Sequence, residues 1–217
     1  HLNETHFFGI LINQINKRKK SMTYKCDEKD DKSEESQSDK SFEILKKTRT
    51  LVLCGEINQK LAERITSQLI MLDSLSDEPI KILINSQGGH VEAGDTIHDM
   101  IRFVNSKVIV IGTGWVASAG IIIYLAAEKE NRYSLPNTRY LIHQPSGGVY
   151  GQASDIQIEA TEIVRMRERL NKIISKATGQ KFEKVVKDGD RNFWLSAEEA
   201  KEYGVVNKII TKLKEIV

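Results

Sequence analysis

Short runs of β-branched and other apolar residues alternate along this chain with longer stretches in which apolar residues recur every three or four positions. The first pattern is typical of buried strands, and the second of helices that pack one face on a core. Strands are predicted at 50–54, 80–85 and 108–111, and each is followed by a predicted helix, at 57–72, at 91–103 and after Ser118. Repeated strand–helix units predict an α/β fold with a largely parallel sheet and helices packed outside it.

The second half of the chain continues this pattern and adds one long helix, predicted at 154–177 with Ser154 and Gln157 as a capping box. This length is well above the average helix of about 11–12 residues. A Gly-rich stretch at 146–152, predicted to be an extended strand, precedes it. The helix then either projects to meet another subunit or lies across its own core. Further strands are predicted at 139–142, 193–195 and 205–210, with a short helix from a capping box at Ser196 and Glu199 to Gly204.

The first forty residues differ from the rest. The apolar run at 7–12 is too short to span a bilayer and precedes the basic run at 17–20, the reverse of the order in a signal peptide. Because the sequence starts at His1 and Met22 is a more ordinary start, the segment before Met22 is expected to include vector-derived residues. Residues 25–40 are almost all charged or small and polar. We expect a disordered or partner-ordered arm at 1–40 and one folded domain at 41–217.

Composition narrows the classes of function. The chain has 217 residues, of which 40% are hydrophobic, and a net charge of +2, which predicts no affinity for nucleic acid or an anionic membrane. Its cysteines, Cys26 and Cys54, form neither a metal-ligand spacing nor a disulfide framework, so a reducing, cytoplasmic location is expected. No metal or cofactor site is predicted.

Ser118 is the first candidate for chemistry, because it follows the predicted strand at 108–111 and a glycine-rich segment and directly precedes an apolar run. A serine at the start of a helix is held by backbone, and the unpaired amides of the first helical turn can bind an oxyanion. The alternative is that Ser118 only caps the helix, since serine is among the favoured N-cap residues.

His143 is the second candidate, because it follows the predicted strand at 139–142 directly. If its strand end converges with that of Ser118, the pair supplies a nucleophile and a general base. The amides of Gly89 and Ala119 are candidate oxyanion donors. The alternative for His143 is a packed, hydrogen-bonded histidine without a catalytic role.

Four motifs carry a resemblance to a known family. They are INSxGG at 84–89, GxxASxG at 114–120, IHQPxGG at 142–148 and LSAxEAxxYG at 195–204. Together they resemble the proteolytic subunit of Clp protease, and the likeness runs from about residue 41 to 210. It implies a crotonase-like fold with a protruding handle at about 146–177, Ser118 as nucleophile, His143 as base and the amides of Gly89 and Ala119 as the oxyanion hole.

The resemblance also implies an assembly. Members of this family form two heptameric rings that enclose the active sites, cut unfolded polypeptides inside them, and work with an AAA+ unfoldase. The inter-ring contacts are expected to involve Gly147, Gly148, Asp190 and Arg191.

Several positions depart from the family pattern. The third triad residue, an aspartate in the family, is Asn192 here, with Asp188 and Asp190 nearby as possible substitutes. An asparagine can orient the histidine but carries no charge to stabilise the imidazolium. Gln87 replaces a usual proline, and at the outer face Lys81 and Leu83 replace aromatic residues that receive the unfoldase, although Phe103 remains.

Three hypotheses follow from these observations. The first is an ATP-dependent Clp protease proteolytic subunit, a serine endopeptidase that does not itself bind ATP. The second is a weakly active or regulatory ring subunit that pairs with a paralogous catalytic ring. Lys81 and Asn192 are consistent with this role, because both depart from the family pattern. The third is a CoA-dependent enzyme on a similar sheet, which the Ser118 and His143 motifs disfavour.

Overall fold

The folded unit comprises Leu45–Val217 and is built on one sheet. The computed structural model describes residues 43–148 and 150–216. The predictions for the arm at 1–40 and for the residues before Met22 therefore fall outside the described residues.

Three successive strand–helix units form the first half of the fold, as the sequence predicted. Each strand extends further at its carboxyl end than predicted, because pairing resumes after a register shift, between Cys54 and Glu56 in the first strand and between Ile84 and Ser86 in the second. The units are β1 (Thr50–Ile57) with α1 (Gln59–Leu75), β2 (Ile80–Gly89) with α2 (Val91–Phe103), and β3 (Val108–Ala117) with α3 (Ala119–Tyr124).

The second half contains shorter strands and the long helix. Its elements are β4 (Arg132–Ser134), β5 (Arg139–Ile142), α4 (Ala153–Thr178), α5 (Phe182–Asp188), β6 (Phe193–Leu195), α6 (Ala197–Tyr203) and β7 (Lys208–Ile209). The capping box at Ser196 and Glu199 is confirmed. The prediction missed β4 and α5, and it made the last strand too long, since only two of its residues pair with β4.

The sheet has seven strands, and all its ladders are parallel except the pairing of β5 with β6. The strand order is β1-β2-β3-β4-β7. β3 changes neighbour along its length: residues 110–112 pair with β4, whereas residues 115–117 pair with β5. The carboxyl end of β3 therefore lies beside β5 and, through it, beside β6.

The main core lies between the sheet and helices α1 to α3, and α4, α5 and α6 add Leu170, Ile174, Val185, Ala200 and Tyr203 to it. Every residue of α3 is buried, and its three isoleucines belong to this core. A smaller cluster on other sheet positions comprises Ile109, Ile111, Tyr133 and Ile210, with Leu135 and Ile216 packed against it.

Two predictions about the long helix need correction. Its N-cap is Gln152, without a side-chain capping bond, so the predicted Ser154 capping box is wrong. Residues 146–148 and 150–152 form no strand, because no other segment of the described chain pairs with them to satisfy their backbone groups.

The buried residues of α4 all lie near its C-terminal end, at Leu170, Asn171, Ile174 and Thr178. The exposed first half favours the projecting helix over one lying across its own core.

Two glycines that end helices allow a matched test of packing. Gly179 and Gly204 follow α4 and α6 with φ of +78° and +95°, a region that costs other residues about 1–2 kcal/mol. A Cβ at Gly179 would meet nothing within 4 Å, whereas one at Gly204 would collide with the Thr178 carbonyl. We expect Gly204→Ala to lower the free energy of unfolding by at least about 1 kcal/mol more than Gly179→Ala, measured by urea denaturation followed by circular dichroism. Equal losses would contradict this packing.

Candidate active site

Ser118 occupies a strained turn between β3 and α3. Its φ of 57° and ψ of −122° make it one of two non-glycine residues with positive φ in the described chain. Its amide donates to the Leu141 carbonyl at 3.0 Å, and its carbonyl accepts from the Ile121 amide at 2.9 Å. Its hydroxyl makes no capping bond to the helix. Ser118 therefore occupies the N-cap position of α3, but its side chain does not act as the cap, and its hydroxyl makes no hydrogen bond to any described residue.

The glycine-rich end of β2 makes room for this turn. A Cβ at Gly88, whose φ is +97°, would lie 2.6 Å from the Ser118 Cβ and 2.8 Å from the Ala117 carbonyl oxygen. At the start of α2, a Cβ at Gly94 would lie 3.1 Å from the Ala119 Cβ. The Ser118 turn is thus packed directly against the glycine backbone of β2 and α2, which fixes its position.

Strand pairing brings His143 to Ser118. Ala117 pairs with Leu141 in the β3–β5 ladder, and His143 follows Leu141 by two residues. Ser118 and His143 line one small cavity of about 20 Å³. The other residues that line it are Val91, Ala119, Ile121, Ile122, Ile142, Pro145, Leu170, Asn171 and Ile174. The convergence of the two strand ends, on which the predicted nucleophile–base pair depended, is present.

The two groups are close but do not yet form a hydrogen-bonded pair. The Nε2 atom of His143 is buried and has no hydrogen-bond partner among the described residues. A histidine kept only for packing would be expected to have such a partner, since buried polar atoms are normally hydrogen-bonded. The geometry leaves Nε2 available to accept a proton.

Asn192 lies opposite His143. Ile142 pairs with Phe193 in the antiparallel β5–β6 ladder, and continuing this register places Asn192 across from His143. Asn192 is exposed. Its side chain makes no hydrogen bond within the part of the chain that the structure describes.

The two nearby aspartates are bound elsewhere. Asp188 accepts from the Tyr203 hydroxyl at 2.9 Å and pairs with Lys184. Burial, together with the hydrogen bond to Asp188, raises the pKa of Tyr203, so this hydroxyl remains a donor. Asp190 pairs with Arg167 of α4 at 3.1 Å. These contacts favour Asn192 over either aspartate as the residue that faces His143.

The loop that carries Asn192 is tied to the segment after His143. The Gln144 amide donates to the Gly189 carbonyl at 2.9 Å, and the Gln144 side chain donates to the Asp190 carbonyl at 2.8 Å. Of the predicted inter-ring residues, Arg191, Gly147 and Gly148 are exposed. Asp190 is also exposed but is engaged with Arg167.

The expected oxyanion donors lie beside Ser118. Ala119 is the first residue of α3, where an amide has no intrahelical acceptor. The His90 amide donates to the Ile57 carbonyl on β1 at 2.8 Å. Because amides alternate sides along an extended strand, the Gly89 amide faces away from β1, on the side of β2 where β3 and Ser118 lie. Their role as an oxyanion hole stays a prediction.

Sequence reasoning did not identify three features of the site. The Leu141 carbonyl anchors the Ser118 amide, Gly88 packs under Ser118, and Asn171 of α4 lines the cavity. Only Asn171 left a sequence signal, as a polar residue within an apolar helical stripe.

In the described chain, no group of three or more His, Cys, Asp or Glu residues could hold a metal. No helix in residues 43–148 or 150–216 is long and apolar enough to cross a membrane.

Comparisons with known proteins agree with one another. The Clp protease family profile matches residues 32–213. The Rhizobium etli protein named ATP-dependent Clp protease proteolytic subunit 3 is 57% identical over 191 residues, covering 88% of this chain and 98% of that protein. Subunit 2 of Pseudomonas aeruginosa is 56% identical over 177 residues, covering 82% of this chain and 88% of that protein.

Solved structures give the same result. ClpP1 from Listeria monocytogenes is 61% identical and superposes with a TM-score of 0.75, covering 81% of this chain and 99% of that one. An asparagine-to-aspartate mutant of ClpP1 from the same organism is 62% identical with a TM-score of 0.76, covering 81% of this chain and 98% of that one.

The contact between Gly88 and Ser118 yields a prediction. Gly88→Ala would push the Ser118 Cβ from its place, and a displacement of about 1 Å can lower a rate about 100-fold. We expect Gly88→Ala to lose at least about tenfold in the rate of Ser118 labelling by a fluorophosphonate, measured by intact-protein mass spectrometry. Gly55→Ala is the control, because Gly55 also has a positive φ, +86°, but a Cβ there would meet nothing within 4 Å. Equal labelling of the two variants would contradict the proposed contact.

Proposed function

This chain belongs to the Clp protease family, and on that premise we propose that it hydrolyses peptide bonds of unfolded polypeptides with Ser118 as the nucleophile. The observation that carries the assignment is the Ser118 turn, whose hydroxyl is released from helix capping and shares a cavity with the unpartnered Nε2 atom of His143. The enzyme class, a serine peptidase, follows from the family.

The reaction proceeds in two steps. The Ser118 Oγ attacks the scissile carbonyl while His143 Nε2 takes the hydroxyl proton, and the proton then passes to the leaving amine. Water, activated by the same histidine, hydrolyses the acyl-enzyme and restores Ser118. The amides of Gly89 and Ala119 stabilise the oxyanion in both steps.

Asn192 takes the third position of the triad in this proposal. Its side-chain oxygen accepts from the Nδ1–H of His143 and orients the ring, but it gives the imidazolium no charge stabilisation. In another serine protease the same exchange of aspartate for asparagine lowers turnover about 10⁴-fold. We therefore expect a slow enzyme.

We propose that the domain at 41–217 assembles into two heptameric rings through the handle at about 146–177 and through Gly147, Gly148, Asp190 and Arg191. The exposed half of α4 supports this, since Ile156, Ile158 and Val164 are 41%, 60% and 64% exposed in the single chain. An AAA+ unfoldase in the cytoplasm is the proposed source of unfolded substrate. Lys81 and Leu83, both half-buried on β2, make an aromatic docking surface incomplete, although Phe103 is 78% exposed.

The second candidate function is a weakly active ring that pairs with a paralogous catalytic ring. It is favoured by the exposed Asn192, which makes no bond to His143 within the described chain. The family and its relatives give no support to the third hypothesis, a CoA-dependent enzyme.

Labelling of the purified protein tests the peptidase assignment. We expect a fluorophosphonate to modify the parent at Ser118 and to leave Ser118→Ala unmodified, because the probe reacts only with an activated serine. Ser74→Ala, at an exposed helical serine, is the control and should label like the parent. Absence of labelling in the parent would reject independent activity and favour the ring that needs a partner.

A charge introduced at position 192 separates the two candidate functions, an independent peptidase and a ring that needs a partner. Asn192→Asp restores a carboxylate opposite His143, so we expect peptide hydrolysis to rise at least about tenfold and at most about 10⁴-fold. The measurement is kcat/KM with a fluorogenic peptide, and Asn137→Asp is the control because it places the same charge on an exposed loop. If both variants stay at the parent's rate, the asparagine is not what limits activity.

A further inference from the structure

Asn171 is a buried polar residue whose hydrogen-bonding capacity is unused within the described chain. It lies on α4 among Leu170, Ile174 and Thr178 and is 8% exposed. Thr178 satisfies its hydroxyl by donating to the Ile174 carbonyl at 2.7 Å. The Asn171 side chain makes no such bond to any described residue. Leucine and isoleucine flank it on the buried side of the helix, so an amide at this position adds hydrogen-bonding groups where packing alone would need none.

The cavity that Asn171 lines has the properties of a water site. Three of its lining side chains are polar, those of Ser118, His143 and Asn171, and the others are apolar. Its volume of about 20 Å³ is enough for one water molecule, which needs at least about 10–15 Å³ and two to four polar partners. Among the described residues that line it, His143 is the only ionisable one.

We propose that Asn171 is a positioning residue that holds one water molecule against the Nε2 atom of His143. The water donates one hydrogen to Nε2 and the other to the Asn171 side-chain oxygen, and it accepts from the Ser118 hydroxyl. This arrangement gives the buried Nε2 atom a partner that the described residues do not provide, and it gives the Asn171 oxygen a donor. The inference rests on the proposed function and adds a residue to it.

The consequence concerns the tautomer of His143. A hydrogen bond donated to Nε2 keeps the proton of the neutral ring on Nδ1, and this is the form that can accept the serine proton. An aspartate at the third triad position fixes that tautomer by its charge, but Asn192 is neutral. Asn192 constrains the tautomer at Nδ1 only by a neutral hydrogen bond, and the water held by Asn171 adds a second constraint at Nε2, on the opposite side of the ring. When a substrate carbonyl enters and displaces the water, the Ser118 hydroxyl turns to Nε2.

Two substitutions test this role. Asn171→Leu removes the water's anchor and suits the apolar stripe, so we expect unchanged or higher thermal stability but a loss of about tenfold in the labelling rate at all pH values. Asn171→Asp keeps the shape and adds a negative charge that favours protonated His143, so the acid limb of the labelling profile should move to higher pH. Lys201→Leu, at an exposed position of α6 outside the handle, is the control and should retain the parent's rate and profile.

A second measurement separates this inference from the peptidase assignment. Hydrogen exchange at the imidazole Cε1 of His143, followed by mass spectrometry against pH, does not require a reactive serine. Asn171→Asp should move its half-maximal pH upward even if the parent is never labelled. The inference is overturned if the exchange profile of Asn171→Asp superimposes on that of the parent, or if Asn171→Leu folds and labels at the parent's rate. If Asn171→Leu fails to fold, the isosteric Asn171→Asp decides the matter alone.

Discussion

β3 pairs with β4 over residues 110–112 and with β5 over residues 115–117. This change of neighbour occurs just before Ser118, and the Leu141 carbonyl of β5 then accepts the Ser118 amide. The same short strand ends one residue before His143, and its other edge pairs with β6 next to Asn192. Backbone hydrogen bonds of these strands therefore bring together three candidate catalytic residues from distant parts of the chain.

The strain at Ser118 is sustained by what surrounds it. A non-glycine residue with such dihedral angles costs about 1–3 kcal/mol and persists only where packing over-determines it. Here α3 follows immediately and is buried along its whole length. Burying one isoleucine side chain contributes about 1.5–3 kcal/mol, so the three isoleucines of α3 offset the strain. The turn can thus keep its hydroxyl free of the helix end.

The long helix reaches the same histidine from another direction. Asn171 lines the cavity of His143, and Arg167, one turn earlier, pairs with Asp190 in the loop that leads to Asn192. A displacement of α4 would therefore alter both sides of the imidazole ring. The first half of this helix is exposed in the single chain, so the ring contacts proposed there would act on the site through the same helix.

Apolar periodicity determined the strand–helix units. A run of β-branched residues buries its side chains as a strand, and apolar residues three to four positions apart bury theirs along one face of a helix. It also placed Ser118 and His143 at the ends of strands, and the motifs around them indicated the family. The tertiary structure alone decided that the Ser118 side chain makes no capping bond, that Gly88 packs against it, and that Asp188 and Asp190 bind other partners. It also decided that residues 146–148 and 150–152 form no strand and that Asn171 joins the cavity. The reason is physical: local sequence sets which residues can be extended or helical, whereas hydrogen-bond partners across strands and helices depend on the register and packing of segments far apart in the chain.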